Sequence, residues 1–268
     1  MELVFLNTCG FIASGRQEAF ETVQKLLKKG KKVCLIGCAL QYLKKYTTAE
    51  IQQWHPVLTH PNLSFLSRND LTEVSLSQIL KGFKSKVFMD FQRLHTPRAW
   101  TNLPQGFEYL KIAEGCDNAC TFCIIPQIRG RQQSLPIQQI LSETQNLVSQ
   151  GAKEIILIAQ DTTRYGTDLY GKPQLFELLE QMEQLSGSFR YRLLYLYPDL
   201  LSQQQLKKLI HFQKFIPYFD LPFQHISSPL LRAMGRYYDE KGIYQLLDFI
   251  KSQFPIHFIR TNFIIGFP

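Results

Sequence analysis

A loop in the middle of the chain carries cysteines at Cys116, Cys120 and Cys123, in the spacing Cys-x3-Cys-x2-Cys. Three thiolates on one loop are a soft ligand set, which suits an iron–sulfur cluster or zinc. A four-iron cluster normally takes four cysteines, so three would leave one iron open for chemistry. A structural zinc site would need a fourth ligand close by, and the nearest histidines, His95 and His211, are far along the chain. The spacing favours the cluster, with zinc and plain buried thiols as the alternatives.

Two more cysteines, Cys9 and Cys38, follow the first two predicted strands, Leu3–Leu6 and Lys32–Ile36. The helical pattern between these strands predicts a crossover that makes them parallel. Ligands of such sheets bind beyond the carboxyl ends of the strands, so we expect the two thiols to lie near each other. Cys34, within the second strand, is interpreted as a small buried apolar residue, although its nearness to Cys38 leaves a ligand role open.

The rest of the chain predicts an α/β protein with two domains joined by a linker. Residues 1–94 form an N-terminal parallel α/β domain, residues 95–106 a linker rich in proline and polar residues, and residues 107–268 a partial β/α barrel. The barrel strands are predicted at 109–113, 154–159, 191–196, 218–221 and 256–265, and its helices at 137–148, 175–185, 203–210, 229–234 and 244–250. In the first domain we also predict a strand near 64–66 and a helix near 74–80.

Composition excludes several classes of protein. A chain of 268 residues that is 45% hydrophobic and 19% charged is neither disordered nor collagen-like. It has no apolar run long enough to cross a bilayer and no signal peptide, so we expect a cytoplasmic protein with no membrane partner. The net charge of +8 permits an acidic or RNA-rich partner.

Several softer candidates lie where barrel active sites are built. Gln160 and Asp161 follow the second barrel strand, and Gln224 and His225 follow the fourth. The alternatives are a capped turn for the first pair and a structural role for the histidine. Three tyrosines, at positions 191, 195 and 197, alternate along one strand and are most simply packing residues.

The three-cysteine loop (Gly115–Cys123) and its surroundings resemble the radical S-adenosylmethionine methylthiotransferases. Phe122 stands directly before the last cysteine, and the stretches 109–116, 123–126 and 128–130 are similar to that family. The resemblance implies a radical-SAM barrel in which Cys116, Cys120 and Cys123 hold a 4Fe–4S cluster that binds S-adenosylmethionine. It also implies that Phe122, Gln160, Asp161 and Gln224 lie in the vicinity of that cofactor, as does the segment 264–268.

The same resemblance implies a second 4Fe–4S cluster in the N-terminal domain. Cys9 and Cys38 match two of the three cysteines that the family uses there, and the first has no counterpart in this sequence. Two thiolates hold a four-iron cluster poorly. The first strand of that domain, the end of the barrel and a small C-terminal β domain also have no counterpart, so we expect a chain shortened at both ends.

Two stretches distinguish between the substrates of the family. Residues 7–12, with Gly10-Phe11-Ile12, and residues 159–166 resemble the branch that adds a methylthio group to the β-carbon of an aspartate in ribosomal protein S-twelve. The implied partners are that protein or the small ribosomal subunit, and an electron donor such as flavodoxin or ferredoxin. The alternatives are a tRNA adenosine methylthiotransferase, and a non-catalytic fragment that binds an iron–sulfur cluster or RNA.

Overall fold

The computed structural model describes residues 2–45, 52–65 and 106–268. The chain divides into two compact units, Met1–Arg98 with Gln127–Arg129, and Ala99–Pro126 with Gly130–Pro268. The predicted helix near 74–80 and nearly all of the predicted linker lie outside the described residues, so the domain boundaries remain a prediction.

The first unit contains a three-stranded parallel sheet with the order β1-β2-β3, formed by Leu3–Thr8, Lys32–Gly37 and Leu63–Phe65. Helix α1 (Ala13–Lys28) joins the first two strands and buries Phe20 and Val23 in the core of this unit. These side chains recur three to four residues apart, which places them on one helix face. Two further helices are α2 (Cys38–Lys45) and α3 (His55–Leu58).

The second unit is built on a five-stranded parallel sheet. Its strands are β4 (Phe107–Lys111), β7 (Glu154–Ile158), β8 (Arg190–Leu193), β9 (Phe215–Asp220) and β10 (Phe258–Arg260). They lie side by side in the order β10-β9-β8-β7-β4. In β7 the three central residues are all buried, as expected for a parallel strand that is covered on both faces. A separate antiparallel pair is formed by β5 (Ala113–Glu114) and β6 (Gln133–Ser134).

Helices alternate with these strands. They are α4 (Ile125–Arg129), α5 (Ile137–Ser149), α6 (Thr167–Tyr170), α7 (Leu175–Gln184), α8 (Gln203–Leu209), α9 (Ser228–Ala233) and α10 (Glu240–Gln253), with a 3-10 turn at Pro198–Leu200. The last three residues of α4 belong to the first unit. Helix α5 buries Ile137, Ile140 and Leu147 along one face. Ser202 and Gln205 form a capping box at the start of α8, which satisfies backbone donors that would otherwise be unpaired. The alternation and the parallel sheet confirm the predicted α/β class.

Several predicted elements have different bounds in the structure. The strand predicted at 191–196 ends at Leu193, because Tyr195 has a left-handed backbone with φ 59°. The strand predicted at 256–265 is reduced to Phe258–Arg260, since Thr261 turns its hydroxyl to the Phe223 amide. Beyond that point a single bridge between Gln224 and Phe263 continues the pairing. After the second strand, helix α2 begins directly at Cys38, where a strand-to-loop transition would be expected from the sequence.

No helix among the described residues is both long enough and apolar enough to span a membrane.

Candidate functional site

The three-cysteine loop follows β4 and β5 at the carboxyl edge of the five-stranded sheet. Its start is fixed by the Cys116 amide, which donates to the Gly130 carbonyl at 3.1 Å. Its end is tightened by the Cys123 amide, which donates to the Cys120 carbonyl at 3.0 Å. The Asn118 amide lies 3.4 Å from the Cys116 sulfur, so it can donate to a thiolate there. The loop therefore has a defined conformation supported by backbone hydrogen bonds.

A polar network ties the loop to the end of β7. The Asn118 side-chain amide donates to an Asp161 carboxylate oxygen at 2.7 Å and accepts from the Arg164 guanidinium at 2.8 Å. The other Asp161 oxygen accepts from the backbone amides of Thr163 and Arg164, at 3.0 and 3.3 Å. Asp161 is 1% exposed and both its oxygens are bonded within the chain. The geometry is that of a capped turn, which was one of the two interpretations of this residue.

The segment after α9 packs against the opposite side of the loop. Thr121 donates its backbone amide to the Met234 carbonyl at 3.1 Å and its hydroxyl to the Ala233 carbonyl at 2.9 Å. Gly235 has φ 72°, and a β-carbon there would lie 2.8 Å from the Ala119 carbonyl oxygen. Only glycine fits this position without displacing the loop.

Arg236 lies in a buried position beside the loop. It is 5% exposed, and its Nε and Nη1 atoms have no hydrogen-bond partner among the described residues. Its guanidinium carbon lies 4.4 Å from the ring centre of Tyr197 and 5.6 Å from that of Phe122. The Tyr197 hydroxyl lies 3.8 Å from the Cys120 sulfur. The loop thus has a cation and a hydroxyl group next to its thiols.

Burial governs the ionisation of these thiols. Burial, together with the smaller effects of the nearby Asp161, Cys120 and Cys123, raises the pKa of Cys116 to about 11, although the Asn118 backbone amide acts in the opposite direction. Burial also raises the pKa of Cys123, while the Arg236 charge lowers it. Without a bound metal these two thiols are protonated at neutral pH, so metal binding must release protons.

The donor set fits an iron–sulfur cluster. Thiolates are the ligands that such clusters take in proteins, and a buried cation beside them offsets the negative charge of a cluster. Within the described ranges no three histidine, cysteine, aspartate or glutamate side chains converge on a single ion. A four-iron cluster does not require such convergence, because each thiolate binds a different iron.

The structure brings the other predicted site residues to the same edge of the sheet. Gln160 follows β7, and its buried Oε1 has no hydrogen-bond partner among the described residues. Gln224 follows β9 and has a left-handed backbone with φ 71°. Its amide donates to the Asn262 carbonyl at 2.9 Å and its carbonyl accepts from Ile264 at 2.7 Å. His225 accepts from the Ser227 amide at 2.9 Å, which agrees with a structural role.

The three tyrosines do not share one role. Tyr191 and Tyr197 are buried, as expected for packing residues. Tyr195 is 43% exposed, so its assignment as a packing residue is wrong. Its left-handed backbone is held from two sides, because its amide donates to Asp220 at 3.0 Å and its carbonyl accepts from Thr162 at 3.1 Å.

In the first unit, Cys9 and Cys38 follow two paired strands, as predicted. Thr8 of β1 is level with Gly37 of β2, so the next residue of each strand lies at the same edge of the sheet. A β-carbon on Gly10 would collide with the Cys38 carbonyl oxygen, so the two segments are in direct backbone contact. Cys9 is exposed and Cys38 is buried. Cys34 is buried within β2, and burial raises the pKa of its thiol, in agreement with its interpretation as an apolar residue.

Sequence reasoning missed four residues that support the three-cysteine loop: Asn118, Arg164, Tyr197 and Arg236. Asn118 stands between two of the cysteines, and this position was the one available signal. Arg236 follows a glycine after a short helix, and no periodic pattern marks that segment. These contacts join residues far apart in sequence, so they emerge only from the fold.

Residues 110–268 match the family described as the radical SAM superfamily. Among curated proteins, the chain is 38% identical over 271 residues to the ribosomal protein uS12 methylthiotransferase RimO of Carboxydothermus hydrogenoformans. That alignment covers 100% of this chain and 60% of the relative. This chain is 37% identical over 267 residues to the RimO of Aquifex aeolicus, and that alignment covers 100% of this chain and 57% of the relative. The chain therefore spans about three fifths of the length of these relatives.

Two solved structures share the fold. One is the radical S-adenosylmethionine methyltransferase TsrM from Kitasatospora setae with cobalamin and a 4Fe–4S cluster bound, with TM-score 0.64 and 12% identity. The alignment covers 99% of this chain and 58% of the TsrM chain. The other is the cobalamin-dependent S-adenosylmethionine radical enzyme OxsB, with TM-score 0.62 and 13% identity, which covers 98% of this chain and 41% of its own. Because the family match spans more than half of its residues, this chain belongs to the radical SAM superfamily, and over its whole length it is similar to RimO methylthiotransferases.

Proposed function

We propose that this chain is a transferase that holds a 4Fe–4S cluster on Cys116, Cys120 and Cys123 and uses it with S-adenosylmethionine in a methylthiotransferase reaction. The observation that carries this proposal is the three-cysteine loop at the carboxyl edge of a parallel sheet, bounded by buried polar contacts. The similarity to RimO proteins supports the same reaction class.

The chain's own residues would position the cofactors from several sides. Asn118 and Asp161 hold the loop against β7, while Gly235 allows the segment after α9 to approach it. Gln160 offers an unbonded amide oxygen at the same edge, and Gln224 presents a backbone constrained by two hydrogen bonds. We assign Phe122, Gln160 and Gln224 to the vicinity of S-adenosylmethionine, and Asp161 to positioning the loop beside it.

Cys116, Cys120 and Cys123 would hold the cluster, which when bound would supply the one-electron reduction that S-adenosylmethionine requires for its reductive cleavage. The three thiols would be deprotonated as the cluster assembles, and Asn118 would then donate its amide to the Cys116 thiolate. Cys116 is buried, which would limit the access of water to a cluster bound there.

For the first unit, we propose that Cys9 and Cys38 are two ligands of a second 4Fe–4S cluster. Their adjacent positions after β1 and β2 support this assignment. Two thiolates alone bind such a cluster weakly. We therefore expect this second site to assemble less completely than the site in the second unit.

The proposed substrate is the β-carbon of an aspartate in ribosomal protein S-twelve, which would receive a methylthio group. The relatives named for uS12 support this choice. The implied partners are S-twelve or the small ribosomal subunit, and an electron donor such as flavodoxin or ferredoxin. A ribosomal substrate would place the protein in the cytoplasm.

Reductive cleavage of S-adenosylmethionine tests the proposal directly. The chain is reconstituted with iron and sulfide under argon, reduced with dithionite and incubated with S-adenosylmethionine, and 5′-deoxyadenosine is measured by chromatography. We expect its formation by the wild type and by Cys34→Ala, a matched cysteine variant outside the loop, and its loss in Cys120→Ser. A wild-type cluster that is verified by absorbance and iron content but yields no 5′-deoxyadenosine would contradict the proposal.

The substrate is tested separately with S-twelve, with S-twelve whose target aspartate is replaced by asparagine, and with tRNA. We expect mass spectrometry to detect a methylthio group on unaltered S-twelve alone. Methylthio-adenosine in the tRNA would overturn the substrate while leaving the reaction class intact. Cleavage of S-adenosylmethionine without transfer to any of them would overturn the proposed transfer by this chain.

A further inference from the structure

The guanidinium of Arg236 is a buried charged group for which the proposed function gives no role. A charged side chain that is 5% exposed is costly to bury unless its charge and its N–H groups find partners. Within the described part of the chain, the Nε and Nη1 atoms of Arg236 find none. A buried group left unsatisfied in this way calls for an explanation, and a redox role or a bound ion is among the explanations that apply to such groups.

The neighbours of the guanidinium indicate where a group that completes its contacts would bind. It stacks on the Tyr197 ring at 4.4 Å and lies 5.6 Å from the Phe122 ring centre. Phe122 stands between two cysteines of the loop, and the Tyr197 hydroxyl lies 3.8 Å from the Cys120 sulfur. Arg236 and Tyr197 are therefore buried groups that lie next to Phe122 and Cys120 of the loop.

We propose that Arg236 and Tyr197 are positioning residues that stabilise the reduced state of the cluster on the three-cysteine loop and so raise its reduction potential. A cluster that gains one electron becomes more negative, and a fixed cation nearby favours that state. A hydroxyl hydrogen bond to the Cys120 thiolate removes electron density from the sulfur and acts in the same direction. One electron comes from an external low-potential reductant, and no bond is broken in this step.

This inference rests on the proposed cluster, so the presence of that cluster is verified first. Iron and sulfide content and visible absorbance are measured for the reconstituted wild type and each variant. A wild type without a cluster would overturn the proposed function itself. Where the cluster is present, its midpoint potential is measured by reductive titration followed by electron paramagnetic resonance, without S-adenosylmethionine and independently of turnover.

For Arg236→Gln we expect the equilibrium constant for one-electron reduction to fall about tenfold, a shift of about 59 mV to lower potential. Arg236→Lys retains the charge and should recover most of the wild-type potential. Tyr197→Phe removes only the hydroxyl and should lower the constant about threefold, the effect of a single hydrogen bond. The matched control is Arg232→Gln, an exposed arginine on α9, which should leave the potential unchanged.

An unchanged potential in Arg236→Gln, with normal iron content, would overturn the proposal. If that variant instead binds S-adenosylmethionine more weakly at an unaltered potential, the guanidinium serves the carboxylate of that cofactor and the proposal is wrong. If Arg236→Gln loses the cluster altogether, Arg236→Lys and Tyr197→Phe decide the matter through their own potentials.

Discussion

The two cysteine sites of this chain are supported in different ways. Cys9 and Cys38 are brought together by the register of two neighbouring strands and by one close backbone contact. The three-cysteine loop is instead held by side chains and carbonyls from the end of β7, the segment after β8 and the segment after α9. Strand pairing alone can place two thiols at one sheet edge, whereas holding three thiols on one loop takes contacts from several parts of the fold.

The largest expected difference between the two sites is in bound iron. After reconstitution we expect about four irons per chain, all at the three-cysteine loop, because two thiolates alone retain a cluster poorly. Cys116→Ser or Cys123→Ser should remove nearly all of this iron, while Cys9→Ser and Cys38→Ser should change it little. Iron and sulfide are measured after gel filtration under argon. Iron near eight per chain, halved by Cys9→Ser, would show that the two sites bind iron equally well and would contradict the expected difference.

A smaller effect tests how tightly the segment after α9 packs on the loop. Gly235→Ala adds a β-carbon that would meet the Ala119 carbonyl at 2.8 Å, on a backbone with φ 72°. We expect it to lower the free energy of unfolding by about 3 kcal/mol, the upper end for a strained position. Gly171→Ala is the matched control, since Gly171 also has φ 72° but no atom within 4 Å of the added carbon.

The control should lose about 1 kcal/mol, the cost of the left-handed backbone alone. Both values come from urea unfolding followed by circular dichroism. Equal losses in the two variants would mean that the loop yields to the added methyl group, and that its conformation is less constrained than the hydrogen bonds indicate.

The smallest effect separates the two units by the sign of a pH dependence. In the second unit burial raises the pKa of Asp199, which favours its protonated form in the folded state. Its stabilising contribution is present below the ordinary value of 3.8 and is lost as the pH rises through the folded pKa. In the first unit the Lys31 ammonium lowers the pKa of exposed Glu2, whose contribution is present above 4.5 and is lost as the pH falls.

We therefore expect Asp199→Asn to gain stability relative to the wild type as the pH rises from acid to neutral, and Glu2→Gln to lose a small amount. Thermal unfolding across that range measures both differences. An Asp199→Asn difference that does not vary with pH would show that Asp199 has no raised pKa in the folded state.

The sequence was most informative where a pattern is local. The spacing of Cys116, Cys120 and Cys123, the burial of β7 on both faces and the helical period of α5 are each encoded within one short segment. Strand ends were less predictable, because Tyr195 ends β8 through a left-handed backbone that Asp220 stabilises from the neighbouring strand. A contact of this kind has no signature in the segment that it terminates.

The supporting residues of the site show the same limit. Arg236 and Cys120 are separated by more than a hundred residues, and only the packing of α9 beside the loop brings them together. The family resemblance supplied the proposed ligands and the proposed cofactor. It did not identify the cation and the hydroxyl group behind the loop, which follow from burial and unpaired atoms alone.

The left-handed backbones of Tyr195 and Gln224 have a consequence for mutational tolerance. Each non-glycine residue in this conformation costs about 1 to 3 kcal/mol. A typical domain has a free energy of unfolding of only about 5 to 15 kcal/mol, so two such residues at neighbouring strand ends lower it appreciably. Random substitutions in the core of the second unit should therefore abolish folding more often than equally disruptive substitutions in a barrel without these two residues. The fixed geometry of the strand ends lowers the tolerance of the fold to mutation.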